Sequence, residues 1–203
     1  MEAIALPTHT DISEEELSRA RLYRLLSRLL GAPADENLLL FLRSLKGDDS
    51  PLGRGLAALS AVAERVTVEE ASQEYHDLFI GVTKGELLPY ASHYLTGFLN
   101  EKPLAELRDA MNELGLARSE GESEPEDHIA SLCEIMHGMI SGDYGKPIPL
   151  TDQFQFFQNH IETWATKFFE DLEAAKSARL FMSIGLIGRL FMQIEGDAFK
   201  IAA

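Results

Sequence analysis

A single cysteine, Cys133, occurs among 203 residues, which excludes an internal disulfide and a cysteine-based zinc site and suits a reducing compartment. On an apolar helix face it reads as packing. Basic residues are also scarce: 18 Lys and Arg stand against 33 Asp and Glu, for a formal charge of -15. That sign opposes binding to phosphate backbones or anionic membranes, and it suits either a basic partner or plain solubility. No apolar run approaches the roughly 20 residues of a membrane span, because the most apolar stretch, Leu180 to Ile194, is broken by Ser183, Arg189 and Gln193. Met1 to Asp11 has no basic residue ahead of an apolar run, so it does not read as a secretory or transit peptide, and the expected compartment is the cytoplasm. Also missing are strand-like alternation, a repeat of fixed period, a phosphate-binding glycine loop (Gly145-Lys146 runs into Pro147) and a Gly-x-Ser-x-Gly elbow. Nucleophilic catalysis therefore has no visible agent.

What is present is helical periodicity in a chain that is 45% hydrophobic, enough for a sizeable core. The expected architecture is all-α: residues 1–203 as a single orthogonal helical domain of about seven or eight helices. Capping-box patterns at Ser13/Glu16, Thr67/Glu70 and Ser123/Glu126 mark helix starts, the last with Pro125 in the first turn. Further helices are expected over Asp35 to Lys46, Leu52 to Arg65 and Pro103 to Leu116. One long helix from Thr151 or Asp152 would carry the stripe Phe154, Phe157, Ile161, Trp164, Phe168 and Leu172, and a last one would run from about Ala175 to Ile194. Gly81 to Lys102 reads as a long loop that nevertheless carries Leu87, Leu88, Tyr90, Tyr94, Leu95 and Phe98. Such a loop packs over a core or forms a binding surface.

Two polar constellations invite chemistry. Glu134 and His137 have the Glu-x-x-His spacing of di-metal bundles, but no second pair accompanies them, so the plain reading is the exposed face of an amphipathic helix. His160, one turn before Trp164, reads as a core histidine satisfied by a hydrogen bond rather than as a ligand. The segment Glu124-Pro125-Glu126-Asp127-His128 concentrates carboxylates, a fixed φ and an imidazole, while Ser119 to Asp127 has no compensating base.

That pentapeptide resembles the Glu-Pro-x-Asp-His signature of the TorD/DmsD family, cytoplasmic chaperones for the maturation of molybdenum-containing oxidoreductases. Tyr75-His76-Asp77-Leu78-Phe79-Ile80-Gly81 is similar to the family's aromatic-x-x-Leu-Phe-x-Gly segment, and Pro89-Tyr90-Ala91-Ser92-His93-Tyr94 to its Pro-aromatic-x-Ser-x-aromatic loop. Phe157 to Trp164, with His160 between, resembles its aromatic, His and Trp helix. The four segments keep the family's order from Glu74 to Trp164; one departure is Val82-Thr83-Lys84 after Gly81, where proline often follows the glycine. The resemblance implies an all-α chaperone without catalysis, metal or cofactor of its own. Its partners would be an apo molybdenum oxidoreductase and that enzyme's twin-arginine signal peptide, with guanine nucleotide also linked to the family. A twin-arginine leader has two guanidinium groups ahead of an apolar stretch, so its receptor needs carboxylates beside an apolar groove. The expected carboxylates are Asp127, Glu124 and Glu126, with His128 fixing the site by hydrogen bonding. Tyr75, Leu78, Phe79, Tyr90 and Tyr94 would supply the wall, with Ser92 in the same loop. Two other classes stay open to the sequence: a helical adaptor without a defined site, and a metal-dependent bundle enzyme built on Glu134 and His137.

Overall fold

The structure, a computed structural model, describes residues 12–116 and 124–202. Helix α1 (Glu14–Gly31) starts where its capping residue puts it: Ser13 Oγ accepts from the Glu16 amide at 3.2 Å, and three glutamates meet the positive end of the helix dipole. Asp35 and Ser50 cap α2 (Glu36–Ser44) and α3 (Pro51–Ala63) in the same way. Both bonds of the Thr67/Glu70 capping box form at α4 (Val68–Tyr75). The chain then widens into a π-helical extension, His76–Ile80, which stops at Gly81. Here φ is 61° and a Cβ would lie 2.0 Å from the Lys84 carbonyl oxygen, so both the torsion and the space require glycine.

Five more helices bury the rest of the apolar sequence: α5 (Ala91–Thr96), α6 (Lys102–Glu113), α7 (Ile129–Ser141), α8 (Leu150–Phe157) and α9 (Ala165–Ala174). Last comes α10 (Leu180–Ala202). Helix α1 lies along α7, and α10 lies along α9 with α3 against its other side. The α9–α10 approach depends on Gly188, where a Cβ would stand 2.2 Å from the Phe169 ring. One hydrophobic cluster runs through the molecule, with Tyr23, Phe157, Trp164, Phe168, Phe169, Phe181 and Phe191 among its largest fully buried side chains. Each such burial stabilises by about 1.5–3 kcal/mol, and edge-to-face pairs such as Tyr23–Phe191, 4.7 Å between centroids, add directionality. Cys133 is fully buried, and burial pushes its thiol pKa up, away from reactivity. Among the described residues no helix is long and apolar enough to cross a membrane.

The all-α expectation holds, but the described residues form ten α-helices rather than seven or eight. Part of the excess is α5, inside what the sequence presents as a loop. The rest comes from the aromatic stripe, which is not one helix: a π-helical segment, Gln158–Glu162, follows α8, and Trp164 at φ -142° separates it from α9. The last helix begins at Leu180, and not at Ala175. The third capping box is also corrected. Ser123 lies outside the described residues, while α7 starts at Ile129 with His128 as its N-cap, so Pro125 precedes the helix instead of occupying its first turn.

Candidate functional site

Two connecting segments clasp each other beside α5 and α7. The Ala91 amide donates to the Asp127 carbonyl at 3.0 Å and the Ile129 amide to the Pro89 carbonyl at 2.9 Å, forming an isolated antiparallel bridge between Tyr90 and His128. Extended backbone sends successive side chains to opposite sides. Asp127 and His128 therefore part company.

Asp127 turns inward and is 1% exposed. Its Oδ2 accepts from the Ser92 amide at 2.8 Å and the Ser92 hydroxyl at 2.5 Å. Tyr90, the N-cap of α5, makes no side-chain capping bond, so the carboxylate that satisfies the start of this helix comes from another segment. Glu126 is also spoken for: Arg108 on α6 reaches its Oε2 with Nη2 at 2.8 Å and Nε at 3.1 Å, the compensating base that the local sequence lacks.

His128 faces the other way, packed edge-to-face on Tyr90 with 5.0 Å between centroids. Its Nδ1 accepts from the Ala130 amide at 3.1 Å, which places the ring proton on Nε2. Burial pushes its pKa down to about 4, against the pull of Glu124 and Asp127, so at neutral pH it is an uncharged donor. Protonation of this ring favours the unfolded chain. The associated stability is present above about pH 6.5 and is lost as the pH falls through 4; by pH 5 the loss is roughly 2 kcal/mol. Urea midpoints at pH 7 and pH 5 should drop less for His128→Asn, which keeps a capping acceptor, than for the parent. An equal drop in both would remove His128 as the cause.

His128 lines a cleft of about 740 Å³. Asp35, Glu124 and Glu134 bring carboxylates to it, Arg28 is the one cation lining it among the described residues, and Leu38, Tyr75, Phe79, Ile80 and Tyr90 supply apolar and aromatic surface. The π-helical extension is what turns Phe79 and Ile80 into the cleft while leaving Leu78 fully buried in the core. The Tyr75 hydroxyl donates to the Leu30 carbonyl at 3.2 Å, tying this wall to the end of α1. The Tyr90 hydroxyl donates to Glu124 Oε2, and burial together with this carboxylate raises the Tyr90 pKa.

Of the residues singled out by the sequence, Tyr75, Phe79, Tyr90, Glu124 and His128 share this cleft, whereas Leu78, Ser92, Tyr94, Glu126 and Asp127 do not line it. Tyr94 packs on Trp164 and Phe168 instead, and its hydroxyl donates to Asp171 at 3.2 Å. Arg28, Asp35 and Leu38 reach the cleft from the end of α1 and the start of α2, and no local motif marks them. Glu134 is exposed in the cleft, while His137 on the same helix meets the Ala20 carbonyl through Nδ1 at 2.9 Å and Asp143 through Nε2 at 3.4 Å. Among the described residues no group of three His, Cys, Asp or Glu side chains is placed to hold a metal ion. His160 is half-buried against Phe156, and the hydrogen bond at that turn goes to its carbonyl, from Trp164 Nε1 at 2.8 Å.

Residues 45–170 match the family model described as nitrate reductase delta subunit. A chaperone protein TorD from Vibrio parahaemolyticus is 26% identical over 194 residues, 91% of this chain and 86% of the relative. A second, from Aliivibrio fischeri, is 31% identical over 122 residues, 55% of this chain and 56% of the relative. A solved structure from Archaeoglobus fulgidus, assigned as a redox enzyme maturation protein, has the same fold with a TM-score of 0.57 at 22% identity, covering 95% of this chain and 99% of that one. These relatives are named as chaperones and maturation proteins, not as catalytic enzymes. The family model covers more than half of the chain, which belongs to the nitrate reductase delta subunit family, among the TorD-like maturation chaperones.

Proposed function

We propose that this chaperone holds the twin-arginine signal peptide of an apo molybdenum oxidoreductase in the cleft, in the cytoplasm, until the client's cofactor is inserted and before export. The observation that carries the reading is the pairing of three carboxylates, Asp35, Glu124 and Glu134, with an apolar wall in one cleft of about 740 Å³. Guanidinium groups form short, forked, charge-assisted bonds to carboxylates, and an apolar segment following them gains by burial against Phe79, Ile80 and Leu38. Asp127 and Glu126 support the site from behind and do not meet the arginines. His128 Nε2–H is suited to a backbone carbonyl of the peptide.

Titration with a leader peptide carrying Arg-Arg, and with Lys-Lys and Gln-Gln versions, tests the proposal. Arg-Arg should bind tightest and weaken with salt, and Glu124→Gln with Glu134→Gln should cost about 10- to 100-fold in affinity at unchanged helicity, two charge-assisted bonds partly screened by solvent. Equal affinity for all three peptides would remove the arginine-pairing role.

A further inference from the structure

Behind the clasp, on the side away from the cleft, lies a second cavity of about 30 Å³ between α5, α6, α7 and the π-helical segment Gln158–Glu162. Leu107 and Leu132 give it apolar walls; Asn159, His160 and Glu106 give it polar ones. Asp127 lines it too. This residue is 1% exposed, its Oδ2 is committed to Ser92, and its Oδ1 is buried with no hydrogen-bond partner among the described residues. A buried carboxylate oxygen without a donor is costly, and buried polar atoms in folded proteins are almost always met by protein or by ordered water.

The volume suits one small polar molecule, since a water needs roughly 10–15 Å³ of such space and two to four polar partners. A metal cation fits less well. It would need several oxygen ligands, whereas Glu106 is exposed and held by Lys102 at 2.7 Å and no metal-ligating group of three side chains is assembled among the described residues. Burial lowers the His160 pKa against the pull of Glu106, so the ring is a neutral partner able to donate or accept. We propose that this cavity is a single-water site, in which a buried water donates to Asp127 Oδ1 and is held on its far side by Asn159 and His160. The water joins the clasp to the π-helical segment, and His160 becomes a positioning residue for Asp127 and hence for Ser92. The site stands apart from what the cleft binds.

A crystal structure of the full chain at about 1.5 Å should show a peak 2.6–3.2 Å from Asp127 Oδ1. Amides lining the cavity should show a long-lived water cross-peak by NMR. His160→Leu should speed hydrogen exchange of the Ser92 amide about tenfold, as expected for losing one bond to a charged group, while His160→Gln stays near the parent rate. The proposal is overturned by a cavity without the peak, by a peak with cation-like distances of about 2.0–2.4 Å, or by Leu and Gln variants that exchange alike.

Discussion

Arg19→Met is expected to lower the unfolding free energy by about 3–5 kcal/mol, more than any single change in the cleft. Glu195 on α10 is 1% exposed, and Arg19 on α1 grips it with two bonds, Nε to Oε1 at 2.7 Å and Nη2 to Oε2 at 2.8 Å. The Tyr23 hydroxyl adds a third at 3.0 Å, and burial together with the Glu195 charge raises the pKa of that phenol well above its ordinary value. Remove the arginine, and a charge sits in the core with one neutral donor. Remove both charges, and most of the cost disappears, because an apolar pair of similar volume avoids the desolvation that burial of two ions demands. Arg19→Met combined with Glu195→Leu should therefore recover more than half of the single-variant loss, the remainder being the orphaned Tyr23 hydroxyl. Urea unfolding at pH 7, followed by far-ultraviolet circular dichroism, measures both. A single variant within about 1 kcal/mol of the parent would show that the pair contributes little.

Glu74→Ala is expected to cost about 2–4 kcal/mol, by a different route. The Glu74 carboxylate, 8% exposed, accepts from three backbone amides, Arg179 at 2.7 Å, Leu180 at 3.1 Å and Phe181 at 2.8 Å. A side chain of α4 thus caps the first turn of the 23-residue α10, where donors lack partners and the helix dipole favours negative charge. Alanine leaves those amides buried without an acceptor. Glutamine keeps an acceptor but loses the charge, so Glu74→Gln should cost about half as much. Glu86 provides a control: it accepts from the Lys176 and Ser177 amides at 2.7 and 3.0 Å, but it is exposed, and water replaces it in Glu86→Ala at a cost below about 1 kcal/mol. The same unfolding curves rank the three. Equal losses from Glu74→Ala and Glu86→Ala would mean that burial does not set the value of the cap.

Much of the helical layout is legible in the chain, because helix starts are local chemistry. Ser13 and Thr67 cap the helices their spacing predicts, and the apolar face of α7 from Ile129 to Ile140 lies in the core as its periodicity requires. Where the reading slips, the deciding groups are remote in sequence. Ala91–Thr96 is helical because Asp127, thirty-five positions beyond Ser92, serves as its cap. The aromatic stripe breaks at Trp164, whose ring is buried against Tyr94 and whose Nε1 bonds the His160 carbonyl.

The candidate site divides in the same manner. Tyr75, Phe79, Tyr90, Glu124 and His128 are recognisable from short motifs, since each motif keeps its residues within a few positions of one another. Arg28, Asp35 and Leu38 join them only when the end of α1 and the start of α2 are packed against the clasp. The amino-acid order by itself determined an all-helical acidic chain and the motif at residues 124–128 that resembles the family's signature. Tertiary structure alone decided that Asp127 would be sealed against Ser92 and His128 turned to the cleft, because one antiparallel bridge to Tyr90 points neighbouring side chains in opposite directions.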